Sequence, residues 1–413
     1  MKASSICQAI DEQSAERKRR LGMPRDVLPQ LPSVRNFATV VTGVRRSGKS
    51  TLLDQWTSKN GGKVVSVHFD DLRLAAFAPD DFLPLYEIAR ERKADTLVLD
   101  EVQDIAGWEK FVVGCLDRKL RVMVTGSNAK MLSREFGTKL TGRHLNIELF
   151  PFSYPEFLRF ARKRASKSSL DEYLSIGGFP AYVESRQRMV LSELFNDILY
   201  RDIVVRYSLK DAAPIKGLAT FLLGHVGCRI SPSRIKDAVH VASASTILEY
   251  FNYLEETYLV QRISRFAASQ KASLSAPKKV YACDTGLVSA IESVDESNFG
   301  HKLENLVYLK LRNPDDSIFY FANDADGTEC DFLVERRDGT FMAVQVCWEL
   351  GRDNEEREIN GAVRAMERFG LKDAVMVTRD QSDLINQGGR MIRVVPAWKW
   401  CIAPLPLRES IKT

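Results

Sequence analysis

The sequence predicts an α/β protein whose first domain is built on a parallel sheet, and two observations lead to this prediction. Short apolar runs rich in β-branched residues alternate with helix-like segments between residues 31 and 165, the order expected of repeated strand–helix units. Several of these runs end in polar or acidic residues, as strands do where their carboxyl ends form a ligand-binding edge. The chain has 413 residues, enough for two or three domains that each bury a core.

The composition is that of a globular protein, with 45% apolar and 27% charged residues. No apolar run is long enough to span a bilayer, and the first residues, MKASSICQAIDEQ, lack the apolar core of a signal peptide. We therefore expect a cytoplasmic protein with no membrane partner. The seven cysteines are scattered and form no C-x-x-C pair, so neither a zinc site nor a disulfide framework is predicted. A net charge of +5 permits a nucleic-acid partner without requiring one.

The motif that determines the predicted chemistry is GVRRSGKST, at residues 43–51. It fits the P-loop pattern G-x-x-x-x-G-K-[ST], follows the apolar run NFATVVTG and precedes the helix-like segment TLLDQW. Glycines let backbone N–H groups close around phosphate oxygens, the lysine reaches the β- and γ-phosphates of ATP, and the serine hydroxyl can bind Mg²⁺. The helix that follows offers its N-terminus to the same anion. The residues predicted to bind the nucleotide are Gly43, Arg46, Ser47, Gly48, Lys49, Ser50 and Thr51.

A second motif, ADTLVLDEVQDI at residues 94–105, has the form of a Walker B strand. Its apolar run ends in two adjacent acids, Asp100 and Glu101. A buried strand of this kind delivers one carboxylate to the Mg²⁺ ion, and we assign that role to Asp100. Glu101 would orient and deprotonate the attacking water, which favours a hydrolysing ATPase over a nucleotide-binding switch.

Two further segments supply candidates for contacts to the γ-phosphate. RVMVTGSNAKML places Ser127 and Asn128 at the carboxyl end of a third strand, where one of them would contact the γ-phosphate or the attacking water. The sequence does not choose between the two. Arg143 precedes another strand-like run, Leu145–Leu149, and could act on a neighbouring subunit's nucleotide as an arginine finger. A solvated or structurally paired arginine is the alternative for this position.

These motifs belong to a longer set that carries a family resemblance. The segments TGVRRSGKSTLL, TLVLDEVQDIAGWEKF, VTGSNAKML, LTGRHLNIELFPFSYPEFL, YLSIGGFPAYVES and KVYACDTGLVSAI follow one another in order. Together they resemble the AAA-type ATPases of bacteria and archaea that carry a C-terminal domain of unknown function. The resemblance covers nearly the whole chain. It implies a P-loop NTPase core, ATP and Mg²⁺ as ligands, and a C-terminal region that resembles a winged helix followed by a PD-(D/E)XK nuclease-like fold.

We divide the chain into an N-terminal extension (1–30), an AAA-type ATPase core (31–165), a helical and winged-helix region (166–290) and a nuclease-like α/β domain (291–413). In the third part, two helix-like segments precede a hairpin expected between Leu259 and Val280, and a small excess of Lys and Arg lies in this wing. Such a wing would contact phosphates without reading sequence. The presumed recognition helix, Ser243–Glu256, is poor in Lys and Arg, so a lid or an oligomer contact is the alternative role.

The last part departs from the nuclease pattern at its metal-binding residues. Glu304 lies on a helix-like segment, and Asp331 matches the acid that opens the nuclease motif. The next strand reads Gln345-Val346-Cys347, where an acid, any residue and a lysine are needed. Gln cannot supply the second negative charge, and Cys cannot supply the ammonium that supports the attacking water. We expect a nuclease-like fold without catalysis, unless a lysine from elsewhere in the chain compensates.

The function predicted from these features is Mg²⁺-dependent ATP hydrolysis by a homo-oligomer that binds or remodels DNA. Recognition of DNA would be independent of sequence, with branched or displaced-strand DNA as a candidate substrate. One alternative is a nucleotide-gated signalling or defence switch that acts on protein partners. A second is an ATPase-controlled nuclease. A small-molecule kinase is disfavoured by the sensor-type strand and the winged helix.

Overall fold

The computed structural model describes residues 1–17, 21–32, 34–60, 63–128, 142–239, 241, 243–291 and 299–404. The chain divides into two compact units: unit 1 is Met1–Pro151 with Glu256–Tyr258, and unit 2 is Phe152–Glu255 with Leu259–Thr413. Residues 129–141 hold parts of two of the quoted motifs, VTGSNAKML and LTGRHLNIELFPFSYPEFL, and lie outside the described residues. In the part of the chain that is described, no helix is long and apolar enough to cross a membrane.

Unit 1 is built on a five-stranded parallel sheet, which confirms the fold predicted for the first domain. The spatial order of the strands is β2-β3-β4-β1-β5. The strands are β1 (Ala38–Thr42), β2 (Val64–His68), β3 (Thr96–Asp100), β4 (Arg121–Gly126) and β5 (His144–Glu148). Since β1 lies beside β4 and β4 beside β3, the carboxyl ends that carry the P-loop, Ser127 and Asp100 are neighbours at one edge of the sheet.

Helices cover both faces of this sheet. They are α1 (Ala3–Arg17), α2 (Lys49–Asn60), α3 (Phe82–Glu91) and α4 (Trp108–Asp117), with short 3₁₀ turns at Leu28–Gln30, Leu72–Leu74, Pro79–Asp81 and Val102–Asp104. Leu97 and Leu99 pack into one core with residues of α1, α3 and α4, whereas Val98 packs into a second core with Leu52 and Trp56 of α2. Successive side chains of a strand point to opposite faces. Both faces are buried, which explains why the strands read as continuous apolar runs.

The first seventeen residues contribute to the core of unit 1. Helix α1 buries Ile6, Ala9 and Ile10 in the same cluster as the strand residues Val65 and Leu97. Its side chains also reach the backbone of β2, since Arg17 Nη2 donates to the Ser66 carbonyl at 3.0 Å. The segment predicted as an N-terminal extension therefore begins with a helix that packs on the ATPase core.

Unit 2 contains a mixed nine-stranded sheet with the order β13-β14-β12-β11-β10-β9-β7-β8-β6. The strands are β6 (Arg229–Ile230), β7 (Val260–Arg265), β8 (Lys278–Ala282), β9 (Ser317–Asn323), β10 (Thr328–Glu335), β11 (Phe341–Cys347), β12 (Asp373–Thr378), β13 (Asp383–Gln387) and β14 (Arg390–Pro396). Strands β7 and β8 are antiparallel neighbours, and β7 continues the sheet by parallel pairing with β9. The strands of the predicted wing and those of the predicted nuclease-like part thus share one sheet.

Along the chain, the helices of unit 2 precede the strands of this sheet, lie between them and follow the last one. They are α5 (Tyr154–Phe160), α6 (Lys167–Ile176), α7 (Pro180–Ser185), α8 (Met189–Asp197), a π-helical turn (Ile198–Val205), α9 (Ala213–Leu223), α10 (Pro232–Ala238), α11 (Ala244–Glu256), α12 (Gln270–Ser275), α13 (Thr285–Ile291), α14 (Phe299–Leu311), α15 (Glu355–Phe369) and α16 (Ala397–Trp400). Helix α11 corresponds to the predicted recognition helix, and α14 carries Glu304.

Two of the family-like segments, YLSIGGFPAYVES and KVYACDTGLVSAI, meet inside unit 2. The Asp284 carboxylate accepts hydrogen bonds from the Gly178 N–H at 2.6 Å and the Leu287 N–H at 3.0 Å. A β-carbon on Gly286 would lie 2.0 Å from the Ile176 carbonyl oxygen, so only glycine permits this approach. Burial raises the pKa of Asp284 to about 6, against the effect of these backbone hydrogen bonds. These motif residues therefore form a close, buried contact between the two segments inside unit 2.

Candidate nucleotide-binding site

The P-loop of unit 1 joins the end of β1 to the start of α2. Gly43 has a φ of +143°, and a β-carbon there would lie 1.9 Å from the Leu149 carbonyl oxygen. Gly48 has a φ of +98°, a conformation that other residues rarely adopt. Arg46 is a non-glycine residue with a φ of +61°. The first and second glycines of the motif are thus required by backbone geometry as well as by the phosphates that the motif predicts.

Lys49, the first residue of α2, is folded back over the loop. Its Nζ donates to the carbonyl oxygens of Gly43 at 3.2 Å and Val44 at 3.1 Å, and lies 3.8 Å from Glu101 Oε1. The side chain is buried. The ammonium therefore lies inside the loop, next to Glu101.

Ser47 gives a direct indication that the loop takes a polar ligand. Its Oγ is buried and, among the described residues, has no hydrogen-bond partner. A buried hydroxyl without a partner costs free energy, about 1–3 kcal/mol for a typical polar group. An acceptor such as a phosphate oxygen at this position would remove that cost, so the residues present fit the predicted nucleotide.

Asp100 is the most strongly constrained acid of the site. Its carboxylate accepts a hydrogen bond from Thr125 Oγ1, lies 2.8 Å from His68 Nδ1 and is hydrogen-bonded by Ser50. Burial raises the pKa of Asp100, but the hydrogen bond and charge of His68, with the bonds from Thr125 and Ser50, outweigh it and hold the pKa below its ordinary value. Asp100 is therefore an ionised carboxylate beside the Ser50 hydroxyl.

The pairing of Ser50 with Asp100 fits the predicted Mg²⁺ ion, to which both residues would offer an oxygen ligand. The described ranges contain no group of three or more His, Cys, Asp or Glu residues that could hold a metal by itself. Mg²⁺ is commonly bound by one or two protein oxygens and completed by substrate phosphates and water. The two protein oxygens here match that requirement.

Glu101 follows Asp100 in a left-handed backbone conformation, with a φ of +54°. Its N–H donates to Thr125 Oγ1 at 2.9 Å, and its Oε2 accepts from Gln103 Nε2 at 2.7 Å. Left-handed conformations at non-glycine residues cost energy and concentrate at functional sites. The Glu101 carboxylate, with Oε1 3.8 Å from Lys49 Nζ, thus lies beside the residue predicted to reach the phosphates.

Ser127 and Asn128 are both buried at the end of β4. Because β4 lies between β3 and β1, both residues lie between the end of β3, which carries Asp100, and the end of β1, which leads into the P-loop. Which of them contacts the γ-phosphate stays a prediction. Arg143 precedes β5, and its Nη1 lies 2.8 Å from Asp117 Oδ1 at the end of α4. This pairing matches the alternative expected for Arg143, and its action on another subunit also stays a prediction.

Three residues of the site escaped sequence analysis. Arg25 is buried, and its guanidinium donates to the carbonyl oxygens of Ser47 and Phe150, each at 2.7 Å. It thus links the P-loop to the segment that follows β5. Thr125 links the two Walker B acids through one hydroxyl. His68 pairs with Asp100, and this hydrogen bond raises the pKa of His68 above its ordinary value against the effect of burial. None of the three was given a role by a spacing pattern. Thr125 lies within the quoted segment VTGSNAKML, and His68 is the last residue of β2, which the structure places beside β3.

Comparison with known proteins assigns the class of this site. Residues 35–158 match a family model described as an AAA domain, and residues 167–298 match a domain of unknown function, DUF8612. The protein therefore contains an AAA-type P-loop ATPase domain, as the motifs predicted. The DnaA protein of Aquifex aeolicus with bound AMPPCP is a solved structure with 17% identity, a TM-score of 0.30, and coverage of 56% of this chain and 85% of that chain.

Two relatives match over most of their length. Uncharacterized protein MJ1544 of Methanocaldococcus jannaschii is 31% identical over 409 residues, which cover 92% of this chain and 90% of that protein. An uncharacterized protein of Haemophilus influenzae is 30% identical over 348 residues, which cover 78% of this chain and 85% of that protein. The chain belongs to the family of these two proteins.

Proposed function

We propose that the protein is a Mg²⁺-dependent ATPase that works as a homo-oligomer and couples hydrolysis to the binding or remodelling of DNA. The observation that carries the ATPase part is the convergence of Lys49, Ser50, Asp100 and Glu101 at one edge of the sheet. Lys49 would neutralise the β- and γ-phosphates. Ser50 and Asp100 would hold Mg²⁺, which on binding polarises the phosphates and neutralises developing charge.

Glu101 is proposed as the residue that orients and deprotonates the attacking water. Its backbone is fixed by the Thr125 hydroxyl and its carboxylate by Gln103, so the second oxygen stays available on the side of Lys49. A positioned base contributes about 10²- to 10⁴-fold to a reaction rate. The sensor role proposed for Ser127 or Asn128 adds a contact to the γ-phosphate, and Arg143 is proposed to complete the site from a neighbouring subunit.

The proposal of a DNA partner depends on the winged-helix interpretation of α10, α11 and the antiparallel pair β7–β8. The order of these elements supports that interpretation. The charges of the wing give it less support. Arg262 is paired with Glu255 at 2.5 Å, Arg265 with Asp324 at 2.6 Å, and Lys279 is buried. Several cations that were expected to meet phosphates are therefore already neutralised inside unit 2.

This neutralisation favours a second candidate function, in which nucleotide state gates protein partners and the winged helix is an assembly element. The two candidates differ in what stimulates hydrolysis. We would measure steady-state ATP hydrolysis with and without single-stranded, duplex and four-way-junction DNA at two salt concentrations. Stimulation by one form of DNA that weakens with salt supports the DNA-coupled ATPase. Turnover that is indifferent to every DNA supports the protein-partner switch.

The Lys49→Ala variant tests the nucleotide site independently of the partner. Loss of the buried ammonium should abolish tight ATP binding, because the phosphates would then lack their main protein counter-charge. Calorimetric titration with ATP measures this directly. Lys59→Ala, at an exposed position in the last turn of the same helix, is the matched control and should bind ATP like the wild-type protein.

A further inference from the structure

One lysine lies at the centre of an acidic cluster in unit 2, far along the chain from the P-loop. Lys279 Nζ is 2.8 Å from Asp331 Oδ1, 2.9 Å from Glu304 Oε1 and 2.6 Å from Glu329 Oε1. Its side chain is only 3% exposed. Tyr281, which is also buried, donates to Glu304 Oε1 at 2.8 Å. We call Lys279, Glu304, Glu329 and Asp331 the lysine-centred cluster.

The cluster coincides with the place where the nuclease resemblance expects a metal. Asp331 is the acid that matches the nuclease pattern in the sequence, and Glu304 lies on the helix of the same predicted part. Both contact the Lys279 ammonium. An ammonium among three carboxylates provides positive charge where a divalent cation would otherwise provide it. Burial lowers the pKa of Lys279, but the charges of Asp331 and Glu304 outweigh it and hold the pKa well above its ordinary value. The lysine is therefore permanently charged at neutral pH.

The residues of the acid-x-lysine position are engaged in other contacts. Gln345 accepts a hydrogen bond from the Asp331 N–H at 3.2 Å and donates through Nε2 to Glu358 at 2.6 Å. Burial raises the pKa of Cys347 to about 11, so its sulfur stays a neutral thiol, which is a poor metal ligand. The second oxygen of Asp331 accepts from the Val346 N–H at 3.0 Å. Strand β11 therefore supplies no acid that could complete a metal site together with Asp331 of β10.

We propose that Lys279 is an internal cation that replaces the divalent metal of the nuclease-like site, so that this site binds no metal in the wild-type chain and serves to hold unit 2 together. The lysine-centred cluster joins β8, α14 and β10, which the sequence assigned to two different parts of the chain. The nuclease pattern needs a lysine on β11, where this chain has Cys347. The positive charge is supplied instead by Lys279 on β8. Because Lys279 lies among the carboxylates, it excludes a divalent cation from them.

The test is calorimetric titration of MnCl₂ into the nucleotide-free full-length protein. We expect that any Mn²⁺ binding by the wild-type protein is the same in the Asp331→Asn variant. Lys279→Met keeps the length of the aliphatic chain and removes the charge. We expect it to gain one Mn²⁺ site per chain with an affinity at least about tenfold above any wild-type binding, equivalent to about 1.4 kcal/mol. The double variant Lys279→Met/Asp331→Asn should lose this gain, which separates the site from Mn²⁺ bound at the P-loop.

Lys279→Met leaves three carboxylates around an apolar side chain, so a second variant guards against loss of folding. Lys279→Met/Glu329→Gln carries one negative charge fewer and retains Glu304 and Asp331. Circular dichroism tests whether each variant is folded. For a variant that is not folded, recovery of the native spectrum on addition of Mn²⁺ supports the proposal. A folded Lys279→Met protein that binds no Mn²⁺ overturns it. So does a wild-type Mn²⁺ site that Asp331→Asn abolishes, whatever the lysine variants do.

Discussion

Replacing Thr125 by valine should separate nucleotide binding from hydrolysis. The Thr125 side chain is fully buried in β4, where its hydroxyl donates to Asp100 Oδ1 and accepts from the Glu101 N–H at 2.9 Å. A single hydroxyl thus fixes the proposed metal ligand and the proposed base. Valine has nearly the same shape, so the substitution removes these two hydrogen bonds and leaves most of the packing in place.

The expected loss follows from the strength of these bonds. A hydrogen bond to a charged group contributes about 1.5–3 kcal/mol, and removal of the hydroxyl also leaves the Glu101 N–H without its partner. If that free energy falls on the hydrolysis barrier, kcat decreases about 10- to 100-fold. The affinity for ATP should change by less than about threefold, because the P-loop contacts that carry it do not involve Thr125.

Thr39→Val is the matched control for this substitution. Thr39 is a buried threonine on the neighbouring strand β1, and its hydroxyl donates to the Pro32 carbonyl at 3.0 Å, away from both Walker B acids. Steady-state hydrolysis and calorimetric ATP binding should be measured for both variants. Equal kcat values for Thr125→Val and Thr39→Val would refute the role assigned to the Thr125 hydroxyl.

Three further predictions follow. Arg25→Lys keeps the charge but loses the planar fork that holds the Ser47 carbonyl, so ATP affinity should fall about tenfold in calorimetry, and unchanged affinity would exclude a supporting role. Gly286→Ala should lower the free energy of unfolding by about 1–3 kcal/mol because of overpacking, whereas Gly351→Ala, with open space, should leave the urea midpoint unchanged, and equal midpoints would contradict the close approach. Asp284 has its pKa raised to about 6 from 3.8, so the folded state binds its proton more tightly and stability is lost as pH rises from about 4 through 6. Urea unfolding at pH 4, 5, 6 and 7 should therefore show a shallower decline in Asp284→Asn, and the same slope in both proteins would disprove the shift.

Much of unit 1 could be predicted from the sequence because local patterns and global fold agree there. The P-loop, the strand ending in Asp100 and Glu101, and the run before Ser127 each combine an apolar strand with polar residues at its carboxyl end. In a parallel sheet those ends meet at one edge, so their order along the chain was enough to place them together. The five-stranded parallel sheet confirms that inference.

The supporting residues could not be predicted, because their contacts join distant parts of the chain and follow no period. Arg25 reaches Phe150, which is 125 residues away in sequence, and Lys279 reaches Asp331 across 52 residues. Lysine and arginine in exposed-looking segments read as solvated charges in a sequence. Only tertiary structure shows that both are buried among oxygen acceptors. A compensating lysine from elsewhere in the chain was foreseeable from the sequence, but its position among three carboxylates was not.

The measurement that tests the proposed ATPase mechanism most directly is a comparison of ATP binding and hydrolysis in the wild-type protein and in Glu101→Gln. Glutamine keeps the shape of the side chain and its bond to Gln103 but cannot accept a proton from water. We expect Glu101→Gln to bind ATP with nearly wild-type affinity and to hydrolyse it at least about 100-fold more slowly, as the loss of a general base requires. Hydrolysis at the wild-type rate by Glu101→Gln, or no hydrolysis by the wild-type protein itself, would contradict the mechanism.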